Sequence, residues 1–132
     1  MSKLTYKQAR KLVQERIDEV GPDFVYERPW VTEDDGTKYQ LDSCVNYTIN
    51  DQTGEREPSC IVGHVLHKIG KLNDQSVLDS NAVVDVQFHQ EIFTEKAADY
   101  LGIIQYAQDA GVKYGKLNAE YEIKVMLSEE AV

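Results

Sequence analysis

The residues best suited to chemistry are one cysteine and two histidines on a single predicted helix. Cys60, His64 and His67 follow one another at spacings i, i+4 and i+7. At about 100° per residue they fall on the same side of a helix that spans residues 58–70. The opposite side is apolar and is formed by Ile61, Val62, Val65, Leu66 and Ile69. The pattern therefore predicts a helix with one face in the core and one face bearing Cys and His.

A thiol nucleophile is the first chemistry that this face suggests. If Ser59 is the N-cap, Cys60 lies in the first turn, where backbone N–H groups and the helix dipole favour a thiolate. His64 lies one turn further along. However, a histidine at i+4 on the same helix is a neighbour of the cysteine and not an opposed base. The spacing therefore favours a packed cysteine over a nucleophile.

A metal site is the second chemistry. Cys60, His64 and His67 with Cys44 would complete a Cys₂His₂ set for zinc. Structural zinc sites usually have a close pair of ligands on each side, and Cys44 stands alone on its side. We therefore expect no metal or other cofactor. A Cys/His metal protein or a thiol enzyme centred on Cys60 is kept as the alternative to a binding protein.

Two further helices are indicated by their caps and their apolar periodicity. Thr5 and Gln8 form a capping box, and Gly21 ends the apolar repeat that follows. Thr94 predicts the start of a second helix, which Gly111 ends. Residues 118–128 fit both a strand and a helix period. We favour a helix there, with Asn118 as its cap.

Between the helix that ends at Gly21 and the helix of residues 58–70, the spacing of the apolar residues changes from a helical period to the alternation typical of strands. Residues 24–31 are aromatic and β-branched, and Asp35-Gly36 predicts a tight turn in which both residues have positive φ. The returning strand falls within residues 38–49. Residues 73–78 suggest a short helical turn, and 82–88 a buried connection or short strand. We predict an α+β protein, a single domain over residues 1–132, in which a small antiparallel sheet with its hairpin around Asp35-Gly36 packs with three to four helices.

The protein is acidic, and its charge is unevenly distributed along the sequence. The net charge is -9, yet residues 1–21 have five basic and three acidic residues, whereas residues 22–60 have three basic and nine acidic. Such a balance disfavours binding to phosphate backbones, so direct nucleic-acid binding is not expected. No run of apolar residues approaches the length of roughly 20 residues that a membrane-spanning helix needs. We expect a cytoplasmic protein without membrane contact.

Two stretches resemble small uncharacterised proteins of actinobacterial phages and of their hosts. The first is Pro58-Ser59-Cys60-Ile61-Val62-Gly63-His64-Val65-Leu66, which is similar to a Cys-aliphatic-aliphatic-Gly helix start in that family. The second runs from Phe93-Thr94 to Gln108-Asp109-Ala110-Gly111-Val112-Lys113-Tyr114-Gly115. The resemblance implies a phage origin, the cytoplasm of the host bacterium and a helical C-terminus. It implies no activity and no catalytic residue.

No motif names a reaction, and the expected function is protein–protein binding. We expect a non-enzymatic accessory protein that binds a host protein or a second copy of itself. In the second case the protein would form a homodimer. The candidate binding face is the aromatic and acidic hairpin, formed by Trp30, Glu33, Asp34, Asp35, Tyr39 and Asp42. An acidic mimic of nucleic acid and a sponge for a nucleotide signal are further alternatives.

Overall fold

Four α-helices and two short antiparallel hairpins make up the described part of the chain. The computed structural model describes residues 3–27, 30–40, 47–50, 52–71 and 92–130. The helices are α1 (Tyr6–Val20), α2 (Ile61–Lys68), α3 (Glu95–Asp109) and α4 (Leu117–Glu130), the last preceded by a 3-10 helix (Tyr114–Lys116). The strands are β1 (Trp30–Thr32), β2 (Lys38–Gln40), β3 (Tyr47–Ile49) and β4 (Arg56–Pro58). The predicted α+β class is confirmed.

The strands form two separate two-stranded sheets, β1 with β2 and β3 with β4. The first is the predicted hairpin around Asp35-Gly36. The second contains β4, a strand that the sequence pattern did not indicate, because Pro58 ends it and it is only three residues long. The predictions for residues 73–78 and 82–88, and the candidate residues Asp42 and Cys44, lie outside the described residues.

Helix α1 begins and ends as its sequence predicts. The Thr5 hydroxyl accepts a hydrogen bond from the Gln8 backbone N–H at 3.2 Å, and the Gln8 side chain accepts one from the Thr5 N–H at 3.0 Å. At the other end Gly21 has φ +95°, a conformation that glycine adopts without strain. Just before α1, Leu4 forms a parallel bridge with Phe93, which ties the start of α1 to the start of α3.

Helix α3 is the centre of the core, and α1, α2 and α4 all contact it. The Thr94 hydroxyl caps it by accepting from the Ala97 N–H at 3.2 Å. Its fully buried side chains include Tyr100, Leu101 and Ile104, which belong to the same apolar core as the buried residues of α2. The buried residues of α2 are Ile61, Val62, Gly63, Val65 and Leu66.

The C-terminal segment is the helix α4, as predicted, but Asn118, the predicted cap, does not cap it. The chain enters α4 directly from the 3-10 helix, so Asn118 lies inside the first turn and its side chain accepts a hydrogen bond from the Tyr100 hydroxyl at 2.5 Å. Tyr100 also packs edge-on against Tyr6 of α1 and Tyr121 of α4, with ring centroids 5.1 and 4.9 Å away. This cluster joins three helices.

No helix in the described ranges combines the length and apolarity that crossing a bilayer requires.

Candidate functional site

The predicted binding face lies on the first hairpin, where its described members are exposed. Trp30, the single tryptophan of the chain, is 57% exposed in β1, and Tyr39 is 45% exposed in β2. Glu33, Asp34 and Asp35 are exposed in the turn that connects the two strands. The hairpin therefore presents two large aromatic side chains and three carboxylates to solvent.

The turn itself differs in type from the prediction. The Glu33 N–H donates to the Thr37 carbonyl at 2.8 Å, and the Gly36 N–H donates to the Glu33 carbonyl at 2.9 Å. Among the described residues only glycines have positive φ; Gly36 has φ +87° and Asp35 therefore does not share that conformation. This is a three-residue loop with glycine at the left-handed position, and not a two-residue turn.

The aspartate before that glycine stabilises the loop. Asp35 Oδ1 accepts a hydrogen bond from the Thr37 backbone N–H at 2.9 Å. Hydrogen bonds from Thr37 lower the pKa of the Asp35 carboxyl, because they favour its charged form. The carboxylate of Asp35 is thus part of the turn, whereas Glu33 and Asp34 are the carboxylates that a partner could contact without disturbing it.

The two aromatic residues lie on opposite faces of the hairpin. In the strand register Trp30 is opposite Gln40, and Val31 is opposite Tyr39. Because cross-strand partners share a face and successive residues alternate, Trp30 and Tyr39 point to opposite sides. The Trp30 indole N–H donates to Glu27 Oε1 at 2.7 Å, which holds the ring beside the entry to β1. The hairpin thus offers two aromatic surfaces and not one continuous patch.

Cys60 is a structural residue of the core. It is fully buried, and it is itself the N-cap of α2, so the expectation that Ser59 caps this helix was wrong. The Cys60 sulfur accepts hydrogen bonds from the Gly63 N–H and from the Gln105 side-chain amide, both at 3.4 Å. The Ser59 hydroxyl instead pairs with the Tyr26 hydroxyl at 2.9 Å.

The two histidines of the predicted chemical face point to different environments. His64 is half-buried near Arg16 and Glu19 of α1, and burial together with the positive charge of Arg16 lowers its pKa to about 4. His67 is exposed. Within the described ranges no three His, Cys, Asp or Glu side chains come close enough together to hold a metal ion, and Cys60, His64 and His67 are not such a group.

Two buried glutamines of α3 form the polar centre that the sequence pattern missed. Gln108 Oε1 accepts the backbone N–H of Ile61 at 2.8 Å and the hydroxyl of Tyr114 at 2.7 Å. Gln105 donates to the Cys60 sulfur, and both glutamines are fully buried. These side chains surround the N-terminus of α2, where backbone N–H groups lack partners within the helix. The signal that could have indicated them is their i, i+3 spacing beside the apolar stripe of α3.

Two stretches singled out in the sequence, residues 58–66 and 93–115, meet at this network. Ile61 belongs to the first stretch, and Gln108 and Tyr114 belong to the second. The following Gly115 is packed against the loop after α1: its N–H donates to the Pro22 carbonyl at 2.9 Å, and a Cβ there would lie 2.6 Å from the Pro22 Cβ. These contacts join the start of α2, the end of α3, the 3-10 helix and the loop after α1.

A second exposed surface lies on α4. Leu117 and Tyr121 of this helix are buried, but Ile123, Met126 and Leu127 are 46%, 52% and 57% exposed. With Ala119, these three residues are the apolar positions that fit a helical period in the segment 118–128. The structure places them outside, because Leu117, Tyr121 and Val125 are the residues that face the core.

The described residues therefore include exposed apolar side chains on both faces of the first hairpin and on α4, and a buried polar network around Cys60. Comparison with known proteins adds no family to this description: no protein-family model, curated protein or solved structure matches the chain.

Proposed function

We propose that the protein is a phage-encoded accessory factor that acts by binding another protein, without catalysing a reaction, and that the hairpin Trp30–Gln40 is its contact element. The observation that carries the proposal is the exposure of Trp30. A tryptophan is usually buried where it stabilises a core, whereas this one is more than half exposed on a strand of three residues.

Exposed aromatic side chains on a backbone whose shape is fixed before binding are typical of protein–protein interfaces. Trp and Tyr bury a large area with few rotatable bonds, and they are enriched among residues whose truncation costs about 2 kcal/mol or more of binding energy. The turn bonds of Glu33, Asp35 and Thr37 fix the shape of the hairpin before binding. A preformed hairpin loses little conformational entropy when its partner docks.

The charge of the hairpin indicates the chemistry of the partner. Glu33 and Asp34 are exposed beside the aromatic side chains, and the low pKa of Asp35 keeps that carboxyl ionised. A surface rich in Lys and Arg with an apolar centre would complement them. Such a complex should weaken as salt is raised, because exposed charges are screened within about 8 Å at physiological ionic strength.

The experiment is affinity purification from host lysate with immobilised protein, followed by quantitative mass spectrometry. Wild type is compared with Trp30→Ala and with Ile49→Ala, which removes an apolar side chain that is 58% exposed on the second hairpin. We expect Trp30→Ala to reduce recovery of the partner at least about tenfold, as for an interface hot spot, and Ile49→Ala to leave recovery unchanged.

A charge variant tests the second part of the proposal. Asp34→Lys with Glu33→Lys reverses two exposed carboxylates and leaves Asp35, which the turn requires, in place. Recovery should fall and should lose its salt dependence. Equal recovery with wild type and Trp30→Ala, each with an unchanged melting temperature, would contradict the proposed role of the hairpin.

A further inference from the structure

The first hairpin has an exposed aromatic side chain on each of its two faces. Trp30 on one face is 57% exposed, and Tyr39 on the other is 45% exposed. Residues 32–39 are exposed without interruption, and Gln40, at the end of β2, is half-buried. An antiparallel hairpin normally packs one face on the core and leaves the other face in water. Here the aromatic side chains of both faces are left in water.

The small size of the hairpin limits what one face alone can contribute to an interface. Each strand has three residues and is therefore about 10 Å long, and two paired strands are about 10 Å wide. One face thus measures roughly 100 Å² in projection. A stable interface buries about 800 Å² on each partner. A flat partner that met a single face would gain little buried area and would leave the second aromatic side chain in water.

We propose that the first hairpin inserts into a basic cleft of a different protein, which contacts the Trp30 face and the Tyr39 face together and encloses the loop between the strands. This inference rests on the proposed binding role of the hairpin and adds the shape and the chemistry of the partner's site. One wall of the cleft packs on the Trp30 ring, and the opposite wall packs on the Tyr39 ring. Covering both faces and the loop more than doubles the area that a single face would bury.

The charge of the loop indicates the chemistry at the base of the cleft. Glu33 and Asp34 are exposed at the tip of the hairpin, beside Asp35, whose carboxylate is held in the turn. Lys38 is the single basic residue within residues 30–40. Enclosing the three carboxylates requires cationic partners, because an unpaired charge that is removed from water is costly. The cleft therefore has apolar walls and has Lys or Arg side chains at its base.

A second copy of this chain does not have that chemistry. Two copies each carry a net charge of -9 and repel one another. The exposed apolar residues of α4 are on a helix with four glutamates and one lysine, so this surface would repel the carboxylates of the loop. The charges of the chain therefore favour a basic protein of another kind as the partner.

The first experiment uses the proteins of host lysate that a cation exchanger retains, because this fraction contains the basic proteins. Immobilised wild type, Trp30→Ala, Tyr39→Ala and Ile49→Ala are incubated with it, and bound proteins are quantified by mass spectrometry. We expect Trp30→Ala and Tyr39→Ala each to lower recovery of the same protein about tenfold, and Ile49→Ala to leave it unchanged. A hairpin-dependent protein found only among those that the exchanger does not retain would overturn the basic cleft.

The decisive experiment maps both faces of the hairpin while Trp30 stays in place. The photo-crosslinking residue benzoylphenylalanine is introduced at Thr32, on the Trp30 face, in one variant and at Tyr39, on the opposite face, in another. Both variants should crosslink to the same basic protein. The control variant has benzoylphenylalanine at Thr53, which is exposed in the turn of the second hairpin, and should give no crosslink to that protein.

The outcomes separate this inference from the proposed function. If Trp30→Ala loses the partner while Tyr39→Ala retains it, or if only Thr32 crosslinks, the cleft is overturned and the binding role of the hairpin stands. Crosslinks between two copies of this chain overturn the choice of partner. If both alanine variants recover every protein as wild type does, the inference and the proposed function fall together. Where an alanine variant melts at a lower temperature than wild type, the crosslinks decide, because they keep an aromatic ring at both positions.

Discussion

Gln108 of α3 accepts the backbone N–H of Ile61, the first residue of α2, at 2.8 Å in the fully buried centre of the protein. A helix usually satisfies its first N–H groups with a side chain from its own N-terminus. Here Cys60 does so for Gly63, and a side chain 47 residues away in sequence does so for Ile61. The start of α2 is thereby fixed to α3.

Replacing Gln108 by leucine should destabilise the protein strongly. The N–H of Ile61 and the hydroxyl of Tyr114 would both lose the acceptor Oε1 in a site closed to water. We expect a loss of about 2–4 kcal/mol in the free energy of unfolding, measured by urea denaturation. Gln14→Leu, at an exposed position of α1, is the control and should change it by less than about 0.5 kcal/mol. Equal denaturation midpoints for the two variants would contradict the buried network.

Two glycine-to-alanine substitutions should shift stability in opposite directions. At Gly115 a new Cβ would lie 2.6 Å from the Pro22 Cβ and 3.1 Å from its Cα, so the loop after α1 must move. We expect Gly115→Ala to destabilise by about 1–3 kcal/mol. At Gly102, inside α3, no atom beyond its chain neighbours and the local helix backbone lies within 4 Å of the new Cβ. Gly102→Ala should stabilise by about 0.5–1 kcal/mol, because alanine restricts the unfolded chain. Calorimetric melting temperatures that shift the same way would refute this.

His64 should make the protein less stable in acid. Its pKa in the folded state is about 4, lowered first by burial and then by Arg16, whereas in the unfolded chain it is near 6.5. Above pH 6.5 neither state binds the proton, so His64 has no effect. As the pH falls from 6.5 to 4 the unfolded state gains a proton that the folded state does not, and the stability falls by at most about 3 kcal/mol.

The control for this pH effect is the neighbouring histidine. His64→Gln should flatten the dependence of the unfolding free energy on pH between 6.5 and 4. His67→Gln, at an exposed position on the same helix, should retain the slope of wild type. The charges that face His64 are Arg16 and Glu19 of α1 with His67 and Lys68 of α2, and all are present in both variants except the residue replaced. An unchanged slope in His64→Gln would reject this assignment.

Tyr100 and Tyr106 lie six residues apart on α3 and should differ sharply on truncation. Tyr100 is fully buried, packs against Tyr6 and Tyr121, and donates to Asn118; burial raises the pKa of its hydroxyl, which stays protonated as that donor requires. We expect Tyr100→Ala to cost about 3–5 kcal/mol. Tyr106→Ala, at a position that is 63% exposed, should cost less than about 0.5 kcal/mol. Guanidinium denaturation followed by far-UV circular dichroism compares the two variants directly.

The helices could be predicted because their signals are local. The capping box of Thr5 and Gln8, the Thr94 cap and the glycines at 21 and 111 each lie within a few residues of the helix end that they determine. The apolar stripes of α1, α2 and α3 fixed which sides are buried. The hairpin around Gly36 was also predicted, although its turn has one residue more than Asp-Gly alone suggested, because loop length is decided by strand pairing as well as by turn residues.

The interior polar residues could not be predicted in the same way. Gln105 and Gln108 adjoin the apolar stripe of α3, but glutamine is usually exposed on a helix, and only the approach of α2 buries these two side chains. The same reason applies to Cys60, whose sulfur accepts hydrogen bonds that depend on α3. For α4, the period of residues 118–128 fitted both a strand and a helix, and the sequence alone did not show that Tyr121 would meet Tyr6 and Tyr100.

The bridge between Leu4 and Phe93 and the ion pair between Arg10 and Glu122 also bear on how the chain reaches its fold. The second contact spans 112 positions in sequence, and both join α1 to elements made much later in synthesis. Contacts of such separation raise the contact order and slow folding relative to helical proteins with local contacts. Until α2 and α3 have emerged from the ribosome, the apolar side of α1, with Ala9, Val13 and Ile17, has no complete surface to pack on. We therefore expect the nascent chain to become compact only after α3 has emerged, which requires translation to pass Asp109 by the length of chain held inside the ribosome.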